Sequence, residues 1–504
     1  MDHLNNIYNF KNPIRHFFNL DNIKFDVSES FKFKDLTWTA PVKFKIFKTE
    51  NSQRVISFPN ILNFYHAIKL FQKEDNFWDI KSMSMKKRVS PDLDTGEFSV
   101  LSYYNAVQQD AFNLTKFDKL MILDIKSFYG RIYTHDLKFV GDDNLEQRAS
   151  SLNRGRTNGL LLGSYLSLFL AEKVLLDIEE RLDEELKLHG IQCHYEYFSD
   201  DFYFFCNNSD IKKITDIFSA VLEEYDLQVN HEKTTIEDFE EYTKKNNLEK
   251  LWKKIINMSS AKDERIKFAK HITRECDNHP VLFTQLVYRL SQIPELKYKR
   301  IFLANFFKTQ YFYELDPSLY TLSQSDLNYI CYIYKLMPET ILYSLPHVMG
   351  MKGFKLSIFK EFVLSRFRAV LQTEKQEEQV YFYYAIKLCK FDEDLVNFKE
   401  MVLKSKNQIL ISYLVMDKII QEADYSEYIG SPQESDWLQN YHYLLTYDKS
   451  KTDILLPHRA KDNQKCSYTN FYKRNLDAGI PILKPIDEIY PGVRKFIKNK
   501  IESY

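Results

Sequence analysis

Two adjacent aspartates, Asp200 and Asp201, lie inside an aromatic stretch, EYFSDDFYFFC, that runs from residue 196 to 206. Adjacent carboxylates repel each other, and flanking aromatic rings make their desolvation costly. Short aromatic segments on both sides of two polar residues predict a β-hairpin with both carboxylates at its tip. A solvated turn is the alternative explanation of the dipeptide by itself. A plain turn would favour Asn-Gly or Asp-Gly, however, so the pair indicates a functional site.

A third carboxylate stands at the end of another predicted strand. The segment KLMILDIKSFYGRIYTH (119–135) opens as a short apolar run that ends at Asp124, which predicts a buried strand. If the hairpin packs beside this strand, the three carboxylates converge and each raises the pKa of the others. A divalent cation reverses this penalty, and oxygen ligands suit Mg²⁺ or Mn²⁺. Two such ions about 3.5–4 Å apart support in-line phosphoryl transfer, so the cluster points to nucleotidyl transfer.

The order of the predicted elements divides the chain into two domains. An α+β domain is predicted for residues 1–245, and an all-α domain for residues 246–504. The helical half resembles a solenoid-like array of helix pairs, although the sequence contains no clean fixed-period repeat. The C-terminal residues from GSPQESDW onward are less regular and are expected to wrap the helical body.

Local patterns predict the individual elements. Alternation of apolar and polar residues predicts strands over 31–49, and helical spacing predicts a helix over 59–74. A longer helix over 160–187 carries one apolar stripe with leucines four residues apart, and Gly190 ends it. Two further elements of the first half are a helix over 210–226 and, over 227–236, a strand that leads to a turn. Helical periodicity in the second half covers 249–275, 281–294, 325–337, 354–372, 376–390 and 407–421. The third of these begins with a capping Ser/Asp pair.

Charge and composition limit the partners. Lys and Arg number 69 and Asp and Glu number 70, so a net charge of −1 gives no global attraction to nucleic acid, and any such contact is local to a groove. The six cysteines form no C-x-x-C pair and no secretory signal precedes them, which predicts reduced thiols and a cytoplasmic protein. The most apolar stretch, GLLLGSYLSLFLA (159–171), is too short to span a bilayer, so no membrane partner is expected.

Five segments resemble the motifs of reverse transcriptases and follow the order of that family. YFSDDFYFF resembles the F/Y-x-D-D hairpin, and LDIKSFYGRIYTH is similar to the first palm motif. GLLLGSYLSLFLA resembles the family's G-L-P-Q-G helix start, and LQVNHEK (227–233) its L-x-L-N-x-x-K segment. RVISFPN (54–60) resembles the fingers segment with the pattern R-x-I-x-x-P. The resemblance implies a palm and fingers, and with them a nucleotidyltransferase that polymerises DNA.

The resemblance also implies a metal site. Carried over position by position, Asp124, Asp200 and Asp201 are the catalytic residues and bind two Mg²⁺ or Mn²⁺ ions. The backbone carbonyl of Ile125 is implied as a further metal ligand.

Four other residues are implied to contact the incoming dNTP. Arg54 resembles the fingers arginine on the triphosphate, and Tyr129 resembles the gate residue that excludes a ribose 2′-OH. Gly163 is expected to let the backbone approach the nascent pair, and Lys233 resembles the lysine near the leaving pyrophosphate. The alternatives are a surface arginine for Arg54, a core aromatic for Tyr129 and a solvated lysine for Lys233.

The chain departs from the templated enzymes in two respects. Leu161 and Leu162 replace the Pro-Gln of the helix motif, so the polar residue expected near a primer–template pair is missing. A long helical half also stands where a basic thumb is expected. This combination resembles the abortive-infection (Abi) polymerases of antiphage defence, of the prophage-encoded type.

Members of that family make DNA without a template, prime it on a protein tyrosine and assemble as homo-oligomers. The resemblance therefore implies dNTP substrates, a single-stranded DNA product covalently attached to the protein, and a homo-oligomer that is a trimer or larger. Among 34 tyrosines, Tyr8 in the polar N-terminal segment NNIYNFKN is the predicted priming residue, because a mobile terminus can reach a cleft. An ordinary packing tyrosine is its alternative.

Two rival functions stay open on the sequence. The motif set is shared with RNA-templated reverse transcriptases that work with a noncoding RNA, as in retron-like defence systems. A polymerase-derived scaffold that only binds or assembles is the other alternative, and the intact Asp124, Asp200 and Asp201 argue against it.

Overall fold

The structure is a computed structural model of the chain. It describes residues 3–25, 36–134, 137, 143–244, 286–287, 290–291, 293, 296–308, 317, 321–429 and 433–502. The helix predicted over 249–275 lies outside the described residues, as does most of the segment 281–294.

A β-hairpin organises the N-terminal part of the described chain. The elements are α1 (Leu4–Tyr8), β1 (Val42–Thr49), β2 (Ser52–Phe58) and α2 (Ile61–Phe71). The two strands are antiparallel, and α2 confirms the helix predicted over 59–74. Asn60 starts α2, because its side chain accepts a hydrogen bond from the backbone N–H of Leu62. Of the strands predicted over 31–49, only β1 forms within the described residues.

A four-stranded antiparallel sheet forms the centre of the first half. Its strands are β5 (Lys119–Asp124), β6 (His194–Phe198), β7 (Asp201–Cys206) and β8 (Thr235–Glu237), in the spatial order β6-β7-β5-β8. A second small hairpin pairs β3 (Pro91–Asp92) with β4 (Glu97–Phe98). The predicted hairpin is therefore β6–β7, and β5 is the predicted strand that ends at Asp124. Phe202 and Phe204 of β7 are fully buried against Phe218, which holds the hairpin rigidly on the core.

Helices cover this sheet and connect its strands. Their bounds are α3 (Val100–Asn113), α4 (Phe128–Arg131), α5 (Asp143–Ser151), α6 (Tyr165–Leu188) and α7 (Ile211–Glu223). The predicted stripe of α6 is buried along its whole length, at Leu166, Leu170, Val174, Ile178, Leu182 and Leu186. The helix begins five residues later than the predicted 160, because the Ser164 hydroxyl accepts the Ser167 N–H as its cap. Gly190, with φ +65°, follows its end as predicted.

The second half is helical throughout the elements that the structure describes. After α8 (Leu296–Phe307), the helices are α9 (Gln324–Leu336), α10 (Glu339–Met349), α11 (Leu356–Leu371), α12 (Gln376–Leu388), α13 (Lys399–Ser405), α14 (Gln408–Met416) and α15 (Glu422–Ile429). The predicted cap of α9 is present, since Ser323 and Asp326 form a reciprocal capping box. None of the helices in the described residues is long and apolar enough to cross a membrane.

The C-terminal residues are more regular than their composition predicts. They form α16 (Trp437–Thr446), α17 (Asp462–Asp477) and α18 (Ile486–Glu502). They pack on the N-terminal segment as well as on the helical half: the side chain of Asn60 donates to the Tyr472 hydroxyl, and the Asn475 side chain bonds the backbone of Lys24. A single apolar core therefore includes residues from both halves. The boundary between 245 and 246 lies outside the described residues and stays a prediction.

The free edge of β1 is covered by the start of α12. The backbone N–H of Lys45 donates to Gln376 Oε1 at 2.9 Å, and the N–H of Phe47 donates to Glu377 Oε2 at 2.7 Å. Two side chains thus supply the acceptors that a further strand would provide, which joins the hairpin to the helical half. Arg300 reinforces the contact from above the Phe47 ring, 3.6 Å from its centroid.

Replacing Glu377 by glutamine is expected to remove part of the pH dependence of stability. Burial raises the pKa of Glu377 to about 7 from its ordinary 4.5, so the folded chain holds this proton more tightly than the unfolded chain. The free energy of unfolding therefore falls by about 3 kcal/mol for this group as the pH rises through the interval from 4.5 to about 7. In Glu377→Gln the amide oxygen still accepts from Phe47, and the urea midpoint should change less across the interval. Glu374→Gln, at an exposed neighbour paired with Lys45, is the control and should keep the dependence. Equal pH profiles for wild type and Glu377→Gln would contradict the expectation.

Candidate active site

The sheet register brings two of the predicted aspartates face to face. Asp124 ends β5 and Asp201 begins β7, and the two residues are direct partners in the antiparallel pairing. Asp200 lies in the two-residue turn beside them, and its carbonyl accepts the backbone N–H of Ile125 at 2.9 Å. Ser199, the other turn residue, has φ +55°, which gives the tight reversal that the hairpin needs. The three carboxylates therefore cluster at one edge of the sheet.

The local charge of this cluster is strongly negative. The pKa of Asp201 is raised to about 6, first by burial and then by the charges of Asp200 and Asp124. Asp124 is almost fully buried, with 3% of its surface exposed. Such an excess of negative charge is relieved by a proton, a basic side chain or a cation.

Lys233 and Asn230 hold the carboxylate of Asp124 in the described conformation. Lys233 Nζ donates to Asp124 Oδ2 at 2.5 Å, and Asn230 Nδ2 donates to Asp124 Oδ1 at 2.7 Å. Burial opposes the charge of Lys233, but the bond to Asp124 and the charges of the aspartates outweigh it and raise the pKa of the ammonium. Before the predicted turn, the strand is reduced to an isolated bridge between Val229 and Ile125. The turn itself, His231–Lys233, lets Lys233 reach the cluster.

Asn230 is a site residue to which the motif comparison assigned no role. The backbone N–H of Asn230 also donates to the Asp124 carbonyl, at 2.7 Å, so this residue contacts both the main chain and the side chain of Asp124. Its position inside the segment LQVNHEK was the only signal available for it.

The chemistry of the donor set fits divalent cations. Carboxylate oxygens are the ligands that Mg²⁺ and Mn²⁺ prefer, and the raised pKa of Asp201 marks negative charge that a cation would neutralise. Within the described ranges, however, no three His, Cys, Asp or Glu side chains are already arranged around one point as a metal site. Asp124 is instead engaged by Lys233 and Asn230. The metal-ligand roles of the aspartates and of the buried Ile125 stay predictions.

Tyr129 lies beneath the tip of the β6–β7 hairpin. It is the second residue of α4, which begins directly after the left-handed Ser127 (φ +55°), and its hydroxyl forms a hydrogen bond with Ser199. Burial raises the pKa of Tyr129, and Arg54 opposes the rise electrostatically. Arg54 is exposed on β2 opposite Ile46. The structure thus brings Tyr129, Arg54 and the carboxylates into one region.

Gly163 contacts the β1–β2 hairpin and the N-terminal segment. Its φ is +122°, its carbonyl accepts the Phe10 N–H at 2.7 Å, and a Cβ there would stand 3.2 Å from Ile56. This close approach seats the start of α6 against β2, two residues from Arg54. The predicted contact of Gly163 with the nucleotide stays a prediction.

Leu161 and Leu162, which replace the Pro-Gln of the family motif, are fixed in place by hydrogen bonds to their backbone carbonyls. The carbonyl of Leu162 accepts the Ser57 N–H at 2.8 Å, and the Leu161 carbonyl accepts the Ser167 hydroxyl. Both leucine side chains are partly buried against the core.

Tyr8 is placed differently from the prediction of a mobile terminal residue. Its side chain is fully buried, its hydroxyl donates to the Pro59 carbonyl at 2.6 Å, and its ring packs against Phe18, Phe58 and Phe64. Burial, with a further contribution from Tyr472, raises the pKa of Tyr8 well above its ordinary value. The segment is ordered because α1 is apolar on the face that meets the core. Priming from Tyr8 stays a prediction and would require this segment to open.

Comparison with known proteins identifies the family of the domain that carries this site. No curated protein sequence matches the chain. Solved structures that match include a telomerase from Candida albicans in complex with a fragment of telomeric RNA, at 12% identity and a TM-score of 0.31, covering 74% of this chain and 63% of that one. Apo telomerase from Candida tropicalis matches at 13% identity and a TM-score of 0.32, covering 80% of this chain and 69% of that one. The chain thus spans less than two thirds of the first of these proteins. Residues 46–268 match the family described as reverse transcriptase (RNA-dependent DNA polymerase), and the chain therefore carries a reverse transcriptase family domain, with a palm and fingers followed by a helical region.

Proposed function

We propose that this chain is a template-independent DNA polymerase of reverse transcriptase type that primes synthesis on one of its own tyrosines and acts in abortive infection against phages. The observation that carries the nucleotidyl-transfer part is the pairing of Asp124 with Asp201 beside Asp200, in a domain of the reverse transcriptase family. The remaining parts of the proposal rest on the departures of this chain from the templated enzymes.

The residues of the cluster have distinct roles in the proposed reaction. Asp124, Asp200 and Asp201 would hold two Mg²⁺ or Mn²⁺ ions, with the Ile125 carbonyl as a further ligand. Bound divalent ions supply charge neutralisation at the attacking and leaving oxygens. Lys233, already an ammonium at this edge of the sheet, would move its proton-bearing nitrogen from Asp124 towards the leaving pyrophosphate.

The nucleotide would lie between the hairpin tip and the fingers. The guanidinium of Arg54 suits triphosphate oxygens, and its exposure on β2 leaves it free to reach them. The ring of Tyr129, held by Ser199, would stand under the sugar and disfavour a ribose 2′-OH. A dNTP preference follows from this arrangement.

Template independence is supported by the leucine pair. The backbone carbonyls of Leu161 and Leu162 are engaged by Ser167 and Ser57, and their side chains offer no hydrogen bond to a template strand. A net charge of −1 also provides little attraction for a long duplex.

The test is incorporation of a labelled dNTP into the protein itself. Purified chain is incubated with labelled dNTP and Mg²⁺ or Mn²⁺, without template or primer, and separated on a denaturing gel before and after DNase treatment. DNase-sensitive label that migrates with the protein is expected, and rNTP should label far less. Absence of any protein-linked DNA would overturn the proposal. Light scattering of the same sample should give the mass of a trimer or larger.

A second candidate is an RNA-templated reverse transcriptase of a retron-like defence system. It is favoured by the family match, whose description is of an RNA-dependent DNA polymerase. Sequencing of the nucleic acid that copurifies with the chain separates the two candidates. A defined RNA together with its complementary DNA would favour the templated enzyme.

Tyr8→Phe is expected to abolish the protein-linked product if Tyr8 primes synthesis. The substitution removes the only atom that can carry the DNA, and it also removes the hydrogen bond to Pro59, at a cost of about 1–3 kcal/mol in stability. Tyr165→Phe is the matched control, because its buried hydroxyl also donates to a backbone carbonyl, that of Phe77, at 2.6 Å. Mass spectrometry of the labelled peptide reads the result directly. Label retained in Tyr8→Phe would assign priming to another tyrosine.

A further inference from the structure

A polar pocket forms between the segment before β1, the turn after α5 and two connecting segments of the C-terminal region, one before α16 and one before α17. Its cavity volume is about 260 Å³. This Trp38 pocket is lined by Trp38, Arg154, Gln433, Glu434, His458 and Arg459. None of these residues belongs to the carboxylate cluster or to the motifs of the fingers and palm.

Trp38 is a rigid and accessible aromatic surface in this pocket. Its indole is 44% exposed and lies directly on Gly155, where a Cβ would come within 2.5 Å of the ring. The neighbouring backbone is fixed on both sides: the Thr39 N–H donates to Ser151, and the Arg154 N–H donates to Thr39, each at 2.9 Å. A large ring that is so firmly held and yet nearly half exposed is suited to stacking with a planar ligand.

Two guanidinium groups flank the indole. Arg459 stands over the Trp38 ring, 5.6 Å from its centroid, and Arg154 also lines the pocket. Neither makes an ion pair within the described part of the chain. The acidic residues nearby are Glu434, whose carboxylate accepts the Ala40 N–H at 2.9 Å, and Asp436, which is within electrostatic range of Arg154. Cations beside an exposed aromatic ring are the features that recognise a base and its adjoining phosphate.

The pocket is connected to the active site by a short length of backbone. Leu160 is five positions after Gly155, and its N–H donates to the carbonyl of Tyr129 at 2.7 Å. Because each residue spans at most about 3.6 Å, Gly155 lies within about 18 Å of Leu160. The intervening segment is itself paired with the palm, since the Thr134 N–H donates to the Thr157 carbonyl at 2.7 Å. A nucleic-acid strand that leaves or enters the active site can therefore reach Trp38 within a few nucleotides.

We propose that the Trp38 pocket binds a single-stranded polynucleotide, with a base stacked on the exposed part of the Trp38 indole and adjoining phosphates on Arg154 and Arg459. The source of the strand rests on the proposed function, in which it is the DNA product of this chain. Binding itself is independent of synthesis. Because the indole can stack on any base, the pocket should bind the polynucleotide without sequence preference.

The test is the affinity of the full-length chain for a short 5′-labelled oligothymidylate, measured by fluorescence anisotropy without dNTP or divalent metal. Trp38→Ala is expected to raise the Kd about fivefold to 150-fold, the range for loss of one stacked base, whereas Trp38→Phe should stay near wild type. Arg459→Gln should reduce the dependence of log K on log salt by about 0.7, the value for one phosphate contact on a single strand.

Trp78→Ala is the matched control, because Trp78 is 42% exposed but packs on Phe77 and Tyr165, outside the pocket. It should bind the oligonucleotide as wild type does. Circular dichroism confirms that each variant is folded.

The same titration with a labelled oligouridylate shows whether RNA or DNA is the preferred ligand, and either result agrees with the proposal. The proposal is overturned if folded Trp38→Ala binds as wild type, if Trp78→Ala weakens binding equally, or if free dTMP competes as well as the strand. Since no nucleotide is incorporated in this assay, its outcome is separate from that of the labelling gel.

Discussion

Asp124→Asn is expected to reduce dNTP incorporation by at least ~10³-fold while the chain stays folded. Asp124 faces Asp201 across the sheet and accepts hydrogen bonds from both Lys233 and Asn230. Asparagine keeps the shape of the side chain but removes the negative charge that a divalent cation needs. The substitution should therefore remove several kcal/mol of charge stabilisation from the transition state. A loss of about 4 kcal/mol corresponds to a thousandfold lower rate. Rates of dNTP incorporation into the protein measure the effect.

The matched control for this substitution is Asp118→Asn. Asp118 precedes the opposite end of β5, is exposed, and accepts only the backbone N–H of Asn208 among its described bonds. The same chemical change there should leave incorporation near the wild-type rate. If Asp124→Asn kept a rate within tenfold of wild type, the carboxylate cluster would not be the catalytic site, and the scaffold alternative would become the better explanation.

Arg88→Met is expected to lower the free energy of unfolding by about 3–5 kcal/mol. The Arg88 guanidinium forms a two-pronged ion pair with Asp110, with both N–O distances at 2.7 Å, and the two side chains are 5% and 3% exposed. It also donates to Glu196 on β6 at 3.1 Å and stacks on the Tyr203 ring of β7. Methionine fills much of the volume but leaves the Asp110 carboxylate buried with only Tyr242 as a described donor. Urea unfolding followed by circular dichroism measures the loss.

Two further variants show whether the buried charge is the cause. Arg88→Met combined with Asp110→Leu removes both charges and should recover much of the lost stability, because an apolar pair costs far less than a single buried charge. Arg181→Met, at a partly exposed arginine on the surface paired with Glu184, Glu185 and Glu224, should change stability little. If the single and double variants at position 88 are equally unstable, lost packing rather than uncompensated charge explains the effect.

Local pattern was enough to predict the elements that carry the carboxylate cluster. The β6–β7 hairpin, β5 ending at Asp124, and the buried stripe of α6 all depend on alternation or four-residue spacing that is visible in short windows. The helix starts were less accurate, because the Ser164 cap depends on side-chain geometry rather than on apolar spacing. The regularity of the C-terminal helices was underestimated. Composition says little about a segment that is stabilised by packing on both the N-terminal segment and the helical half of the chain.

The sequence by itself determined that three carboxylates stand in segments that resemble polymerase motifs, and which residues surround them there. Only the tertiary structure decided the register that pairs Asp124 with Asp201, and the bond that joins Lys233 to Asp124 across 109 positions of the chain. It also decided that Tyr8 is a buried residue, and that Trp38 meets Arg154 and Arg459 in one pocket. The physical reason is the same in each case. A local pattern reports which face of an element is apolar, whereas contacts between distant residues depend on which faces pack together once loop closure has brought the elements into contact.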